Sequence, residues 1–353
     1  MNFCIGSKLI NNQSPTYFIA EIGSNFDGYL NRAIKLIKLA KDAGADAAKF
    51  QHYTAKSLVS DVGFSNLNLD SHQKDWDGSV YETYAKASLN VDWTLRLYEE
   101  CKKQNIDFMT SPYSIELLEK TINYIPAIKI GSGDITYHQI IKEMSNFGKP
   151  ILLATGASSF SDVESAMELI YKKEPVCIMQ CNTNYEASNL HYKNQNISVI
   201  QTYKEKWPEA QLGLSCHMKN NLAVNAAVTM GARIIEKHFT DDNSRNGPDH
   251  SFALNFEEFK HMVDSTRSLE MILGDGVKKI EDNEKATFYL QRRSLVASKD
   301  FKKGDKISIG DLEPLRPFLK DSFEPYKEYS LIGKTIKKDI SKGTVIKINH
   351  ILN

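Results

Sequence analysis

Cysteine is scarce: Cys4, Cys101, Cys177, Cys181 and Cys216 are the five in a chain of 353 residues. Their odd number and the lack of any C-x-x-C pair exclude a disulfide scaffold and a thiolate zinc site, and point to a reducing compartment. No apolar run reaches the roughly 18 residues needed to cross a bilayer. The opening, MNFCIGSKLINNQSPTYF, has neither the basic start nor the unbroken apolar stretch of a secretory signal. A cytoplasmic protein with no membrane partner is expected. A charge excess is missing too, since 44 Lys and Arg balance 44 Asp and Glu; without a net positive field, nucleic acid is not the expected partner. Neither G-x-x-x-x-G-K-[ST] nor G-x-G-x-x-G occurs, so neither a P-loop nor a Rossmann cofactor is supported.

What is there is an ordinary globular mixture, long enough for a large buried core. Eight short β-prone runs can be counted: Tyr17–Gly23, Ala45–Gln51, Asp107–Pro112, Ala127–Ser132, Ile151–Gly156, Val176–Cys181, Gln211–Cys216 and Arg233–Phe239. Between them lie segments such as LNRAIKLIKLAKDAG and SDVESAMELIYKK, whose apolar residues recur three and four apart, as on one face of a helix. Strand and helix alternating eight times predict an α/β fold, a (β/α)8 barrel, with an open doubly wound sheet as the alternative. The stretch from Lys56 to Val91, with Phe64, Leu67, His72, Trp76 and Tyr81, is too long for an ordinary connection. It is either a cover over the barrel's catalytic face or a surface loop.

After Glu284 the alternation stops. Two similar segments, KDFKKGDKI at Lys299–Ile307 and KDISKGTVI at Lys338–Ile346, suggest a small β-rich domain. The expected division is a barrel over residues 1–285 and the small domain over 286–353.

Barrel active sites lie at the C-terminal ends of the strands, and here those ends are polar. Glu21, Lys49 with Gln51, Thr110 with Ser111, Lys129 with Ser132, Thr155, Gln180 with Asn182, Ser215 with His217, and Glu236 with His238 follow in order. Side chains alternate along a strand, so Glu236 and His238 share a face and Lys237 takes the other. His217 and His238 end neighbouring strands and could converge on one divalent ion such as Mn²⁺, with Glu21 or another oxygen as a further ligand; hydrogen bonding alone is the plainer alternative. A lysine ending an apolar strand must reach solvent or meet an anion. Lys49 and Lys129, with Ser132, Thr110, Ser111 and the turns GSGD and ATGAS, suit a phosphate. The residues by themselves describe a barrel enzyme acting on a phosphorylated small molecule, with a metal as an option.

The strings AEIGSNFDG (20–28), GADAAKFQ (44–51), FMTSPY (108–113), KIGSGD (129–134), ATGAS (154–158), GLSCH (213–217), GARIIEKHFT (231–240) and GPDHSFAL (247–254) resemble, in order, those of the sialic acid synthase family. The tail from RRSLVASKDFKKGD through LRP to LIGKTIKKDISKG is similar to the antifreeze-like, or SAF, domain of those synthases. The resemblance implies condensation of phosphoenolpyruvate with an N-acylated hexosamine to a nonulosonic acid, with release of phosphate. It implies Glu21, Lys49 and Lys129 as catalytic residues and Gln51, Thr110, Ser132, Asn182, Thr183, Asp249 and Arg316 as substrate-binding residues. His217 and His238 become ligands of a divalent metal, Mn²⁺ with Mg²⁺ or Co²⁺ as alternatives. It also implies a homodimer in which the small domain of one subunit caps the other's barrel and brings Arg316 to the sugar.

The chain departs from the family pattern in several places. NHNG becomes Asn25-Phe26-Asp27-Gly28, SDH becomes Ser215-Cys216-His217, Gln180 stands where histidine is common, and Ala154 where serine is. These departures leave the lysines and the two histidines in place. They put in doubt the acceptor sugar, with the bis-acylated precursors of legionaminic- and pseudaminic-type acids as alternatives to N-acetylmannosamine, and they leave open a noncatalytic sugar-binding homologue.

Overall fold

The computed structural model describes residues 2–67, 76, 78–184 and 189–352; His72 of the long insertion lies outside the described residues. Within them the chain forms two compact units, Met1–Gly274 and Asp275–Asn353.

In the first unit a short antiparallel hairpin, β1 (Phe3–Ile5) and β2 (Lys8–Ile10), precedes eight parallel strands: β3 (Tyr17–Glu21), β4 (Ala47–His52), β5 (Asp107–Pro112), β6 (Ile128–Ile130), β7 (Ile151–Ala154), β8 (Val176–Cys181), β9 (Gln211–Cys216) and β10 (Ile234–His238). They are ordered β5-β4-β3-β10-β9-β8-β7-β6, and β5 lies beside β6, so the ring is a nearly closed barrel. All eight strands have ends within two residues of the runs expected from the sequence. The hairpin was not anticipated. Its Phe3, Ile5 and Ile10 join Tyr17, Ile19, Ala47, Met109, Leu152 and Met179 in one buried cluster, which fills the barrel interior from its N-terminal end.

The strands alternate strictly. Phe18, Ala48, Phe50, Phe108, Ile178, Leu214 and Ile235 face outward into the larger core shared with the helices, as the period of two requires. Among those helices α1 (Leu30–Asp42) buries Ala33, Leu36, Ile37 and Ala40, the i, i+3, i+4, i+7 stripe read from its sequence. The insertion after β4 folds into α2 (Ala55–Leu58), α3 (Asp61–Ser65) and α4 (Val80–Ala87). Each starts at a hydroxyl cap, Thr54, Ser60 and Ser79, which satisfies a first-turn N–H.

The second unit pairs Ser294–Ala297 with Leu312–Leu315 in antiparallel fashion over a core of Leu295, Phe301, Ile307, Leu331, Ile336, Ile340 and Ile346. Its two similar segments lie against each other: Phe301 and Ile340 exchange backbone hydrogen bonds of 2.8 and 2.9 Å. Asp339 accepts from the Lys303 N–H at 2.8 Å, and Asp300 accepts from the Lys342 N–H at 2.7 Å. The duplication read in sequence is therefore a local pseudo-twofold.

Candidate active site

Above the apolar filling of the barrel the inward positions turn polar, and they open into a cavity of about 430 Å³. Its floor is a buried charge cluster. Glu21, Lys49, Lys129 and Glu236 are exposed by only 0, 1, 3 and 5%. Lys49 pairs with Glu21, its register partner across β3 and β4. The Glu236 Oε1 atom lies 3.6 Å from Lys49 Nζ and 3.2 Å from Lys129 Nζ. Lys49 Nζ also donates to Ser111 Oγ at 3.2 Å, and Gln51 Nε2 to Glu21 Oε1 at 2.9 Å. Two cations and two carboxylates thus compensate one another, as buried charges must.

The two carboxylates titrate apart. Burial drives Glu21 up to about 7, against the pull of Lys49. Burial pushes Glu236 the same way, but the ammonium groups of Lys129 and Lys49 together outweigh it and leave the carboxyl below its usual range. Lys49 is shifted up, because its carboxylate partners outweigh its burial.

His217 and His238 stand at the ends of β9 and β10 with ring centroids 5.4 Å apart. His217 Nδ1 lies 3.0 Å from the Asn182 carbonyl, the geometry of an Nδ1–H donor, and that tautomer places the other lone pair on Nε2. Burial lowers the His217 pKa to about 4 and, with the neighbouring imidazole, holds that of His238 well below its ordinary value. Both rings are therefore neutral at pH 7, the state that binds metals. Glu236 Oε2, buried and lacking a hydrogen-bond partner, belongs to the same floor. Two neutral imidazoles have the donor chemistry that suits a divalent ion such as Mn²⁺. Among the described residues no group of three or more His, Cys, Asp or Glu is placed to hold a metal ion.

The walls come from the loops. Ser132, Thr183 and Asp249 line the cavity, as does Asp134, whose pKa burial raises to about 6. Ser132 Oγ accepts from the Gly156 N–H at 2.9 Å. A β-carbon at Gly156 would meet Thr183 Cγ2 at 2.4 Å, so this cradle is closed to any side chain. The insertion after β4 is a cover and not a free surface loop: Leu58, Val59, Phe64, Trp76 and Tyr84 form an apolar wall on the cavity. The Tyr84 ring sits 5.4 Å from Tyr53 and 5.9 Å from Trp76.

Lys49, Lys129, Gln51, Ser132, Thr183, Asp249, His217 and His238 meet at this one cavity, with Glu21 directly beneath Lys49. Two expected substrate-binding residues of the first unit do not. Thr110 points outward, where its hydroxyl bonds His52 Nδ1 at 2.7 Å and the Phe50 carbonyl at 3.1 Å; Ser111 takes the inward place. Asn182 turns its side chain to the Asn194 carbonyl at 3.1 Å and supports His217 through its own carbonyl. Arg316 lies exposed just after Leu312–Leu315 in the second unit. The departures from the family pattern are mostly outward-facing as well. Phe26 packs in the helix layer, 6.4 Å from Phe50 and 6.3 Å from Trp93. Gln180 donates to the Gln195 carbonyl at 3.1 Å, and Cys216 lies behind the strand 3.5 Å from Lys237 Nζ. Only Ala154 among them faces the cavity.

Residues 36–278 match the NeuB family and residues 292–352 the SAF domain. The pseudaminic acid synthase of Campylobacter jejuni (strain 81-176) is 35% identical over 350 residues, covering 96% of this chain and 97% of that protein. The N,N'-diacetyllegionaminic acid synthase of C. jejuni (strain NCTC 11168) is 32% identical over 337 residues, covering 94% and 99%. The crystal structure of N-acetylneuraminic acid (sialic acid) synthetase from Leptospira borgpetersenii, in complex with citrate, superposes with a TM-score of 0.72 at 28% identity, covering 81% of this chain and 95% of that one. Agreement over nearly the whole length, across barrel and tail alike, shows that the chain belongs to the NeuB family, the nonulosonic acid synthases that condense phosphoenolpyruvate with an N-acylated hexosamine.

Proposed function

We propose that this condensing enzyme takes a bis-acylated hexosamine as acceptor and makes a legionaminic- or pseudaminic-type acid. The observation that carries the choice is the apolar wall of Leu58, Val59, Phe64, Trp76 and Tyr84 on one side of an otherwise polar cavity. A second acylamino group and a deoxygenated carbon give a sugar the apolar surface such a wall accommodates, whereas a fully hydroxylated chain leaves hydroxyls unpaired there. The pseudaminic and diacetyllegionaminic acid synthases among its relatives support the same reading.

In this mechanism Lys49 and Lys129 hold the phosphate and carboxylate of phosphoenolpyruvate, assisted by Ser111, Ser132 and Thr183. Carbon 3 attacks the open-chain aldehyde of the acceptor, water adds at carbon 2, and the tetrahedral hemiketal phosphate loses inorganic phosphate by C–O cleavage. Both lysines offset negative charge as it develops. With a pKa near 7, Glu21 is poised to hold or release a proton as water adds. Gln51 orients Glu21, and Asp249 and Arg316 contact the acceptor. His217 and His238, beside Glu236, would hold a divalent ion, Mn²⁺ with Mg²⁺ or Co²⁺ as alternatives; when bound it supplies Lewis-acid polarisation of the acceptor carbonyl.

Arg316 reaches the sugar in a homodimer whose small domain covers the partner's barrel. The five cysteines are all free, and among the described residues no helix is long and apolar enough to cross a membrane. Both observations support a cytoplasmic setting, where phosphoenolpyruvate is supplied. The test is phosphate release from phosphoenolpyruvate with Mn²⁺, comparing N-acetylmannosamine, its 6-phosphate and the two bis-acetamido hexoses. Turnover confined to a bis-acetamido hexose is expected. Preference for N-acetylmannosamine overturns the acceptor assignment and leaves the condensation standing.

A further inference from the structure

The loops that follow the first and last barrel strands are bound to each other by a set of buried contacts that the chemistry above does not use. His250 is 0% exposed. Its Nε2 lies 2.8 Å from Asp27 Oδ1 and its Nδ1 2.7 Å from Thr240 Oγ1. With both ring nitrogens engaged within the protein, His250 has no polar atom left for a substrate. Asp27 is gripped in turn by Arg245 Nε at 2.8 Å and Arg32 Nε at 3.1 Å. Arg32 Nε also donates to the Asn25 carbonyl at 2.9 Å, and Asn25 Nδ2 donates to the Phe239 carbonyl at 2.9 Å. The segment Asn25–Asp27 is therefore joined to residues 239–250 at several points.

Adjacent to His250, Asp249 lines the cavity and accepts the Ser24 backbone N–H at 3.0 Å. Glycine is required on both sides of this seat. A β-carbon at Gly23, whose φ is +52°, would lie 2.5 Å from Asp249 Oδ2, and one at Gly247 would lie 2.7 Å from His250 Cδ2. Side chains at those two points would push the loops apart.

We propose that Asp27 and His250 form a positioning pair, which clamps the last barrel loop onto the first and thereby fixes the Asp249 carboxylate where the acceptor's hydroxyl and N–H groups bind. The inference rests on Asp249 facing the acceptor. A hydrogen-bonding group at a binding wall loses most of its value when its support lets it wander by about an ångström. The Asp27 carboxylate, where the family pattern has asparagine, serves His250 and two arginines at once.

The experiment compares Asp27→Ala, Asp27→Asn, Arg245→Ala and Asp249→Asn in the full chain. Each is assayed for phosphate release with phosphoenolpyruvate and the acceptor varied in turn, and its melting temperature is recorded. Asp27→Ala should raise the acceptor KM about tenfold while the phosphoenolpyruvate KM stays within about twofold. Asp27→Asn, which keeps an oxygen toward His250, should recover most of that loss. Asp249→Asn should raise the acceptor KM at least as much as Asp27→Ala. If Asp27→Ala does not fold, the milder Arg245→Ala, on the exposed side of the clamp, should still raise the acceptor KM about threefold. The proposal fails if Asp249→Asn impairs the acceptor while the Asp27 and Arg245 variants leave its KM unchanged or alter both KM values alike. If Asp249→Asn has no effect on the acceptor, the role of Asp249 itself falls, and the clamp's function with it.

Discussion

Lys129→Met and Glu236→Gln should shift the buried charge cluster in opposite directions. In the native floor Lys129 Nζ lies 3.2 Å and Lys49 Nζ 3.6 Å from the same Glu236 oxygen. Lys129→Met keeps the volume, leaves Glu236 with one cation, and removes half of the positive charge that would face phosphate. Glu236→Gln leaves both lysines with Glu21 as their sole carboxylate. A charge pair at about 4 Å is worth roughly 4 kcal/mol at an effective dielectric near 20, and breaking a buried pair costs about 3–5 kcal/mol. Each substitution should therefore lower the melting temperature by roughly 6–10 °C. Millimolar inorganic phosphate separates them. Added in chelator-treated buffer, it should stabilise the native protein, stabilise Glu236→Gln by more, and stabilise Lys129→Met hardly at all. Differential scanning fluorimetry across a phosphate series reads all three. A Lys129→Met protein that gains as much from phosphate as the native chain would show that the anion does not sit between the lysines.

Phe26→His, which restores the family's imidazole, should lower stability by about 2–4 kcal/mol in urea titration, because the ring is 1% exposed among aromatic neighbours. Its turnover should stay within about twofold of native, since the side chain faces away from the cavity. His52, bonded to Thr110 and Thr94 at 2.7 and 2.9 Å, has its pKa lowered by burial to about 4. The folded state then binds fewer protons than the unfolded one. Stability is full above pH 6.5 and falls as the pH drops toward 4, by up to about 3 kcal/mol; His52→Asn should flatten that limb of a stability–pH curve. His217→Ala should abolish Mn²⁺ binding in isothermal titration calorimetry with the melting temperature changed by only a few degrees, and unaltered binding would remove His217 from the ligand set.

The fold was legible because the signals of periodicity agree with one another. Strands such as Ile151–Ala154 are apolar throughout, and α1 shows its stripe without interruption. The hairpin at Phe3–Ile10 was missed because two three-residue strands carry too few alternations to register. The floor of the site was legible for a different reason: lysine and glutamate have no bland place at the end of a buried strand, so Lys49, Lys129 and Glu236 announce themselves. Thr110 and Ser111 were harder, since neighbouring hydroxyls differ only in facing. The register settles the matter, because Ser111 pairs with Gln51 and both point inward. The same alternation, applied to Gln180 and Cys216, would have placed them behind the strands. The GPDHSFAL string marked Asp249 and His250 as a sugar-contacting or loop-positioning segment, but the pairing of His250 with Asp27 had no signal, because it joins residues more than 220 positions apart.

The cover over the cavity comes from one uninterrupted piece of chain, between the end of β4 and Val91, and crosses no barrel strand. Its exchange would therefore leave every ladder hydrogen bond of the barrel as it is. A graft of the corresponding segment from a relative of known acceptor preference is a self-contained replacement part, and the charged floor and the apolar roof can be recombined separately.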